Sequence, residues 1–137
     1  LSGCRYGTAE YAALMSATQG ASKLPVQLRF EANSTRLDEE AKGFVTESAA
    51  DLRRQVSAGA AVVLVGHGDN SGEVAENRAV ALRRALAVRS AFEQQGLFGA
   101  EVESAGEQCP AGDNDTPEGR ERNRRVEIWI KPNTSPS

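Results

Sequence analysis

Six consecutive apolar residues, Ala60 to Val65, end at a glycine, and a loop of small and polar residues follows: Gly66-His67-Gly68-Asp69-Asn70-Ser71-Gly72. An unbroken apolar, β-branched run of this kind suits a central strand covered on both faces. It is the longest apolar run in the chain, far short of the roughly 20 residues a bilayer-crossing helix needs, so no transmembrane segment is expected. The pattern on either side is helical, which makes the run the middle of a layered α/β unit.

Upstream, Val26, Leu28 and Phe30 alternate with Gln27 and Arg29, as in a half-buried strand with the first three inward. Thr35 and Asp38 fit a capping box. A helix from about 37 to 57 follows, with Leu37, Ala41, Val45, Ala49, Leu52 and Val56 as its apolar stripe. Downstream, a second long helix is expected from about 73 to 95, marked by Val74, Ala81, Ala85, Val88 and Phe92 and ended by Gly96. A short strand near Ala100 to Ala105 precedes an irregular stretch from Gly106 to Gly119. The last strand is Arg124 to Ile130, with Val126, Ile128 and Ile130 inward. Residues 1–23 read as an N-terminal extension with a short helix around Thr8 to Met15. Residues 24–131 read as the domain, and residues 132–137 as a loose tail. Strand, helix, strand, helix, strand, strand (βαβαββ) means an α/β or α+β two-layer sandwich with two helices on one sheet.

With 137 residues the chain has the size of one domain. Its net charge of -3 does not suit nucleic acid, whose affinity rests on neutralising many phosphates. The single histidine, His67, rules out a Cys/His zinc site with Cys4 and Cys109, and no metal or cofactor set is indicated. Three fates of the two thiols stay open. They can bridge, for about 3–5 kcal/mol in the chain-entropy model. Leu1-Ser2-Gly3-Cys4 also has the small-residue pattern of a bacterial lipoprotein processing site. Two unpaired thiols are the third possibility.

The loop after the central strand is the expected site, because strand ends meeting helix N-termini are where open sheets bind ligands, anionic ones above all. It is not a dinucleotide fingerprint: the sixth position is Ser71, and Asp69 would repel a pyrophosphate. Asn77 and Arg84 lie seven residues apart, within roughly 20° of each other on one helix face. Helix side chains lean toward the N-terminus, so Arg84 reaches back toward Asp69 while Arg83 points elsewhere. A carboxylate, an amide and a guanidinium around one helix start suit a zwitterion, with Asp69 on an ammonium and Arg84 on a carboxylate. The other reading of the spacing is a simple Asp69–Arg84 salt bridge.

These residues resemble the signature of the OmpA-like peptidoglycan-binding domain: Gly66-His67-Gly68-Asp69, then Asn77, then Arg84-Ala85. Gly106-Glu107, the segment from Asn114 to Arg120, and Asn123-Arg124-Arg125-Val126-Glu127-Ile128 are similar to its C-terminal part. Phe30, Asn33 and Leu37 are similar to its opening. The resemblance covers about residues 24–131 and implies a mixed four-stranded sheet carrying two long helices. It also implies a non-enzymatic domain of the cell envelope, in the periplasm and associated with the outer membrane. Such a domain binds the diaminopimelate residue of the peptidoglycan stem peptide and anchors its host protein to the wall. Asp69 and Arg84 then hold the zwitterionic end of that residue. Asn77 and Asn33 shape the pocket, Gly68 lines it where the family has threonine, and Arg124 borders it. Arg120 and Arg125 tie the long loop to the sheet. Two departures stand out. Gly68 loses a hydroxyl and gains freedom at φ > 0, and Val80-Ala81 stands for Leu-Ser. A member that lost its ligand and serves as a protein-interaction module, with envelope proteins as partners, is the alternative.

Outside these motifs, His67 lacks a neighbouring nucleophile for a triad and reads as a strand-end residue with local hydrogen bonds. Trp129 faces away from Val126 and Ile128, either under a helix or as a contact surface. Arg78, Arg83 and Arg89 read as a solvated helix face.

Overall fold

The computed structural model describes Cys4 and residues 9–133. Thr8, the expected start of the first helix, lies outside the described residues, as do Leu1-Ser2-Gly3 of the processing-site reading and the end of the tail. The order is α1 (Ala9–Thr18), β1 (Ser22–Arg29), α2 (Glu39–Ser57), β2 (Ala61–His67), α3 (Val74–Gln94), β3 (Glu101–Gly106), α4 (Pro117–Asn123) and β4 (Arg125–Lys131). The strands form one mixed sheet in the order β1-β4-β2-β3. β4 runs antiparallel to both neighbours, and β2 runs parallel to β3. The parallel pair needs a crossover, and α3 supplies it.

The apolar run earns its central place by alternation. Val62 and Leu64 face α2 and α3 in the main core with Leu28, Val45, Leu52, Ala85, Phe92 and Ile128. Val63 and Val65 face the other way and pack with Leu14 of α1, Ala105, Cys109 and Trp129. Trp129 therefore lies under a helix, and α1 covers part of the second sheet face. Cys4 and Cys109 are joined by a disulfide across 105 positions, which fastens the segment before α1 to the loop after β3. No helix among the described residues is long and apolar enough to cross a membrane.

Several local expectations are corrected. Val26 is 40% exposed, not inward, because the pairing of β1 with β4 shifts register between Lys23 and Gln27 and breaks the alternation. Pro25 is tolerated there because β1 is an edge strand. The N-cap of α2 is Asp38 itself, whose carboxylate accepts from the Ala41 amide at 2.8 Å; Thr35 plays no part in it. Val74, at the first turn of α3, is 58% exposed. The stretch expected to be irregular up to Gly119 already contains the start of α4. Its signal is Thr116-Pro117: the Thr116 hydroxyl accepts from the Gly119 amide, and proline sits in the first turn.

Gly66 marks where α3 crosses β2. A Cβ there would lie on the Ala81 carbonyl oxygen, so only glycine lets helix and strand approach this closely. That contact sets the start of α3 against the end of β2, where the candidate site residues Gly68, Asp69 and Asn77 lie.

Candidate functional site

β2 ends at His67, and the chain turns through Gly68 and Asp69 toward α3. The Gly68 amide donates to the Gly106 carbonyl, which holds the turn against the end of β3. Gly68 is not at positive φ, unlike Gly106, so the freedom expected of it is not used. A Cβ at Gly68 would meet Arg84 Nη1 and the Asn77 carbonyl at 3.6 Å, ordinary contact distance.

Asp69 is buried, and its partner is Arg124. Arg124 Nη1 donates to Asp69 Oδ2 at 2.9 Å, while the Ser71 amide donates to Oδ1 at 3.1 Å. Burial pushes the Asp69 carboxyl up, but the bonds from Ser71 and Arg124 outweigh it and hold its pKa below the ordinary value. The anion is thus secured by the fold itself. Arg124 also donates through Nε to the Phe30 carbonyl at 2.9 Å, and its own carbonyl accepts from the Phe30 amide. One residue clips β1, β4 and the Asp69 loop together.

The Asp69–Arg84 salt bridge is not formed. Arg84 is only 2% exposed, not on an open helix surface, and three backbone carbonyls surround it. Nε donates to Ser34 at 2.9 Å, Nη1 to His67 at 3.1 Å and Nη2 to Glu31 at 3.2 Å. The guanidinium also stacks over Phe30, 5.6 Å from the ring centroid. Burial lowers its pKa to about 10 against the pull of Asp69, so it stays charged at neutral pH. A guanidinium has five N–H groups. The three bonds use one on each nitrogen, so each terminal nitrogen keeps a second N–H.

Asn33 adopts a left-handed φ of 56° in the turn between Glu31 and Ser34, a conformation asparagine tolerates. That turn presents to Arg84 two of the carbonyls it clasps. Asn77 staples the loop: Oδ1 accepts from the Gly72 amide, and Nδ2 donates to the Gly72 carbonyl and to Glu107 Oε1. Asp69, Arg84, Arg124 and Gly68 thus meet at one end of β2, while Asn33 and Asn77 hold the two loops that frame them.

Glu107, Ser71 and Phe30 complete the arrangement without having been assigned roles from sequence. Glu107 sits in the quoted Gly106-Glu107 pair, the one signal that marked it. Arg125 in β4 ties the long loop to the sheet as expected, whereas Arg120 ties it to α4 and not to the sheet. Arg125 Nη2 donates to the Cys109 carbonyl, and Arg120 Nη1 to that of Asn114. His67 makes a long-range bond, from Nε2 to Glu127 Oε1 at 2.9 Å on the sheet face near Trp129. Burial lowers its pKa despite that bond. Burial works against the Glu127 carboxyl too, but His67, Arg125 and Lys23 hold it well below the usual range. Among the described residues no group of acidic, histidine or cysteine side chains could hold a metal ion.

Two relatives resemble this chain in sequence and one solved structure resembles it in fold. Outer membrane porin F of Pseudomonas aeruginosa is 32% identical over 112 residues, 80% of this chain and 31% of porin F. The outer-membrane lipoprotein YfiB of the same organism is 41% identical over 71 residues, 50% of this chain and 42% of YfiB. The chain spans less than half the length of either. The peptidoglycan-associated lipoprotein of Burkholderia pseudomallei aligns with a TM-score of 0.70 at 22% identity, over 76% of this chain and 88% of that one, a likeness of fold. The OmpA family model matches residues 29–124, which include Asn33, Gly68, Asp69, Asn77, Arg84 and Arg124, and on that match the chain belongs to the OmpA family.

Proposed function

We propose that the chain binds bacterial peptidoglycan without cleaving it, through the diaminopimelate residue of the stem peptide, and so anchors its host protein to the wall within the cell envelope. The binding unit in this reading is residues 24–131, with residues 1–23 as an extension and 132–137 as a tail. The supporting observation is the buried Asp69 carboxylate set between Arg124 and an Arg84 that still has two N–H groups to give. Diaminopimelate ends in an ammonium and a carboxylate on one carbon. Asp69 takes the first and Arg84 the second, as a two-pronged donor. Membership of the OmpA family and the likeness to a protein named peptidoglycan-associated support the polymer as the target. Charge-assisted hydrogen bonds of about 1.5–3 kcal/mol each, less ordering costs, give modest affinity per site, and repeated sites along the polymer raise retention.

Calorimetric titration of a diaminopimelate-containing muropeptide tests the reading, with a lysine-containing one beside it. Lysine keeps the ammonium and lacks the second carboxylate. Saturable binding of the first, at least tenfold weaker binding of the second, and loss of both in Asp69→Asn are expected. Equal binding of the two would remove diaminopimelate specificity. No binding of either would leave the fold as a protein-interaction module.

A further inference from the structure

A groove of about 710 Å³ runs between β1 and the first three turns of α2, and none of the residues of the proposed wall site lines it. Its volume lies within the range of functional clefts. One wall is the edge strand, which pairs with β4 on one side only. The other is α2, with Gly43 and Phe44 toward the groove. Val26 is among the exposed large hydrophobic residues and supplies apolar floor beside the partly buried Phe44.

Two observations say what fits there. Gly43 lies inside a long helix, where glycine weakens the helix relative to alanine. Nothing lies within 4 Å of where its Cβ would be, so nothing within the fold calls for glycine. A missing side chain facing open space lets another backbone come close. The rim is acidic: Asp38 at the N-cap, Glu39, Glu40 and Glu47 on α2 and Glu121 opposite. Arg29 pairs with Glu121 at 3.9 Å and Lys42 with Glu39 at 3.4 Å, which leaves Glu40 and Glu47 as the acidic groups of α2 with no ion pair among the described residues. Pro25 and the register shift between Lys23 and Gln27 interrupt the first half of β1 and leave Gln27–Arg29, with Val26 beside them, as its regular part.

We propose that this groove docks an extended, lysine- or arginine-bearing segment of a partner protein, added as a strand along Val26–Arg29. Its basic side chains meet Glu40 and Glu47, and its backbone passes over Gly43. The inference does not depend on wall binding.

The probe is a fluorescein-labelled heptapeptide of alternating lysine and valine, titrated into the full chain by anisotropy, with a glutamate/valine heptapeptide as control. The lysine peptide is expected to saturate, to weaken with salt, and to shift backbone amide resonances over residues 26–29 and 39–47. The glutamate peptide is expected not to bind. Leucine is the better helix former and nothing lies within 4 Å of its Cβ, so Gly43→Leu should leave the melting temperature no lower than wild type. By filling the groove it should weaken binding at least tenfold. Glu47→Lys should do the same. The proposal is overturned by absence of saturable binding, by undiminished binding in Gly43→Leu, or by shifts mapping elsewhere. Concentration-dependent self-association lost in Gly43→Leu would also overturn it, giving the groove to a second copy of the chain.

Discussion

Arg124 Nη1 and Asp69 Oδ2 meet at 2.9 Å because β4 lies beside β2. The register sets Gly66 opposite Val126, so the residues just outside that pair, at the start of β4 and the end of β2, converge. The carboxylate proposed to receive an ammonium is therefore held as an anion by the fold itself.

Replacing Arg124 by glutamine should cost about 1.5–3 kcal/mol at neutral pH, since a hydrogen bond to a charged group is lost at a largely buried site. The folded pKa of Asp69 is below its unfolded value of about 3.8. Its contribution is thus present above that value and disappears as pH falls through the folded one. Urea unfolding of both proteins should show the gap at pH 7 narrowing toward pH 2. A gap that stays constant with pH would contradict the role given to this pair.

Arg84→Ala should destabilise the chain by about 3 kcal/mol or more, because three backbone carbonyls lose a buried, charged donor at once. Loss of wall binding by this variant would then report partial unfolding as much as a missing contact. Arg84→Lys keeps a charge but not the fork of donors, and should fall between wild type and alanine in denaturant midpoint. An alanine variant as stable as wild type would refute the clasp.

Gly68→Ala should stabilise by about 0.4–1 kcal/mol. The position is not at positive φ, the new Cβ meets neighbours at ordinary contact distance, and the unfolded chain loses freedom. Differential scanning calorimetry would register this as a melting temperature a few degrees higher. A lower one would mean that the loop needs glycine after all.

His67 is buried and its pKa is lowered, chiefly by burial, so below its ordinary value of about 6.5 the unfolded chain takes up a proton that the folded one refuses. Stability should fall as pH drops below about 6.5, with a slope of at most about 1.4 kcal/mol per pH unit for one proton. His67→Gln should flatten that part of the profile. An equal slope in the variant would assign the effect to another group.

Reducing the Cys4–Cys109 disulfide should cost about 3–5 kcal/mol in the chain-entropy model, given the length of chain it closes. Trp129, the chain's one tryptophan, packs in the same cluster as Cys109 and Leu14. Its emission should move to longer wavelength in Cys4→Ser if α1 loosens. Unchanged emission would show that α1 stays docked through Leu14 without the bridge.

The sequence by itself determined what depends on neighbours along the chain. The apolar run from Ala60 to Val65 could only be a two-sided strand, and the helical stripes located α2 and α3 to within two residues. The seven-residue spacing put Asn77 and Arg84 on one face, and both are buried there. These are periodicities of a single element, fixed by the geometry of strand and helix. Partner choice is different. Whether Asp69 meets Arg84 or Arg124 depends on β4 lying beside β2, and strand order is not written in any local pattern. The same holds for Arg84, whose burial comes from the 31–34 turn folding across it. Val26 turned outward because pairing with β4 shifted, and Trp129 was settled only when α1 came to lie over it. Local periodicity chose the residues of the candidate site; the packing of β4 and the β1–α2 turn onto α3 decided which of them touch.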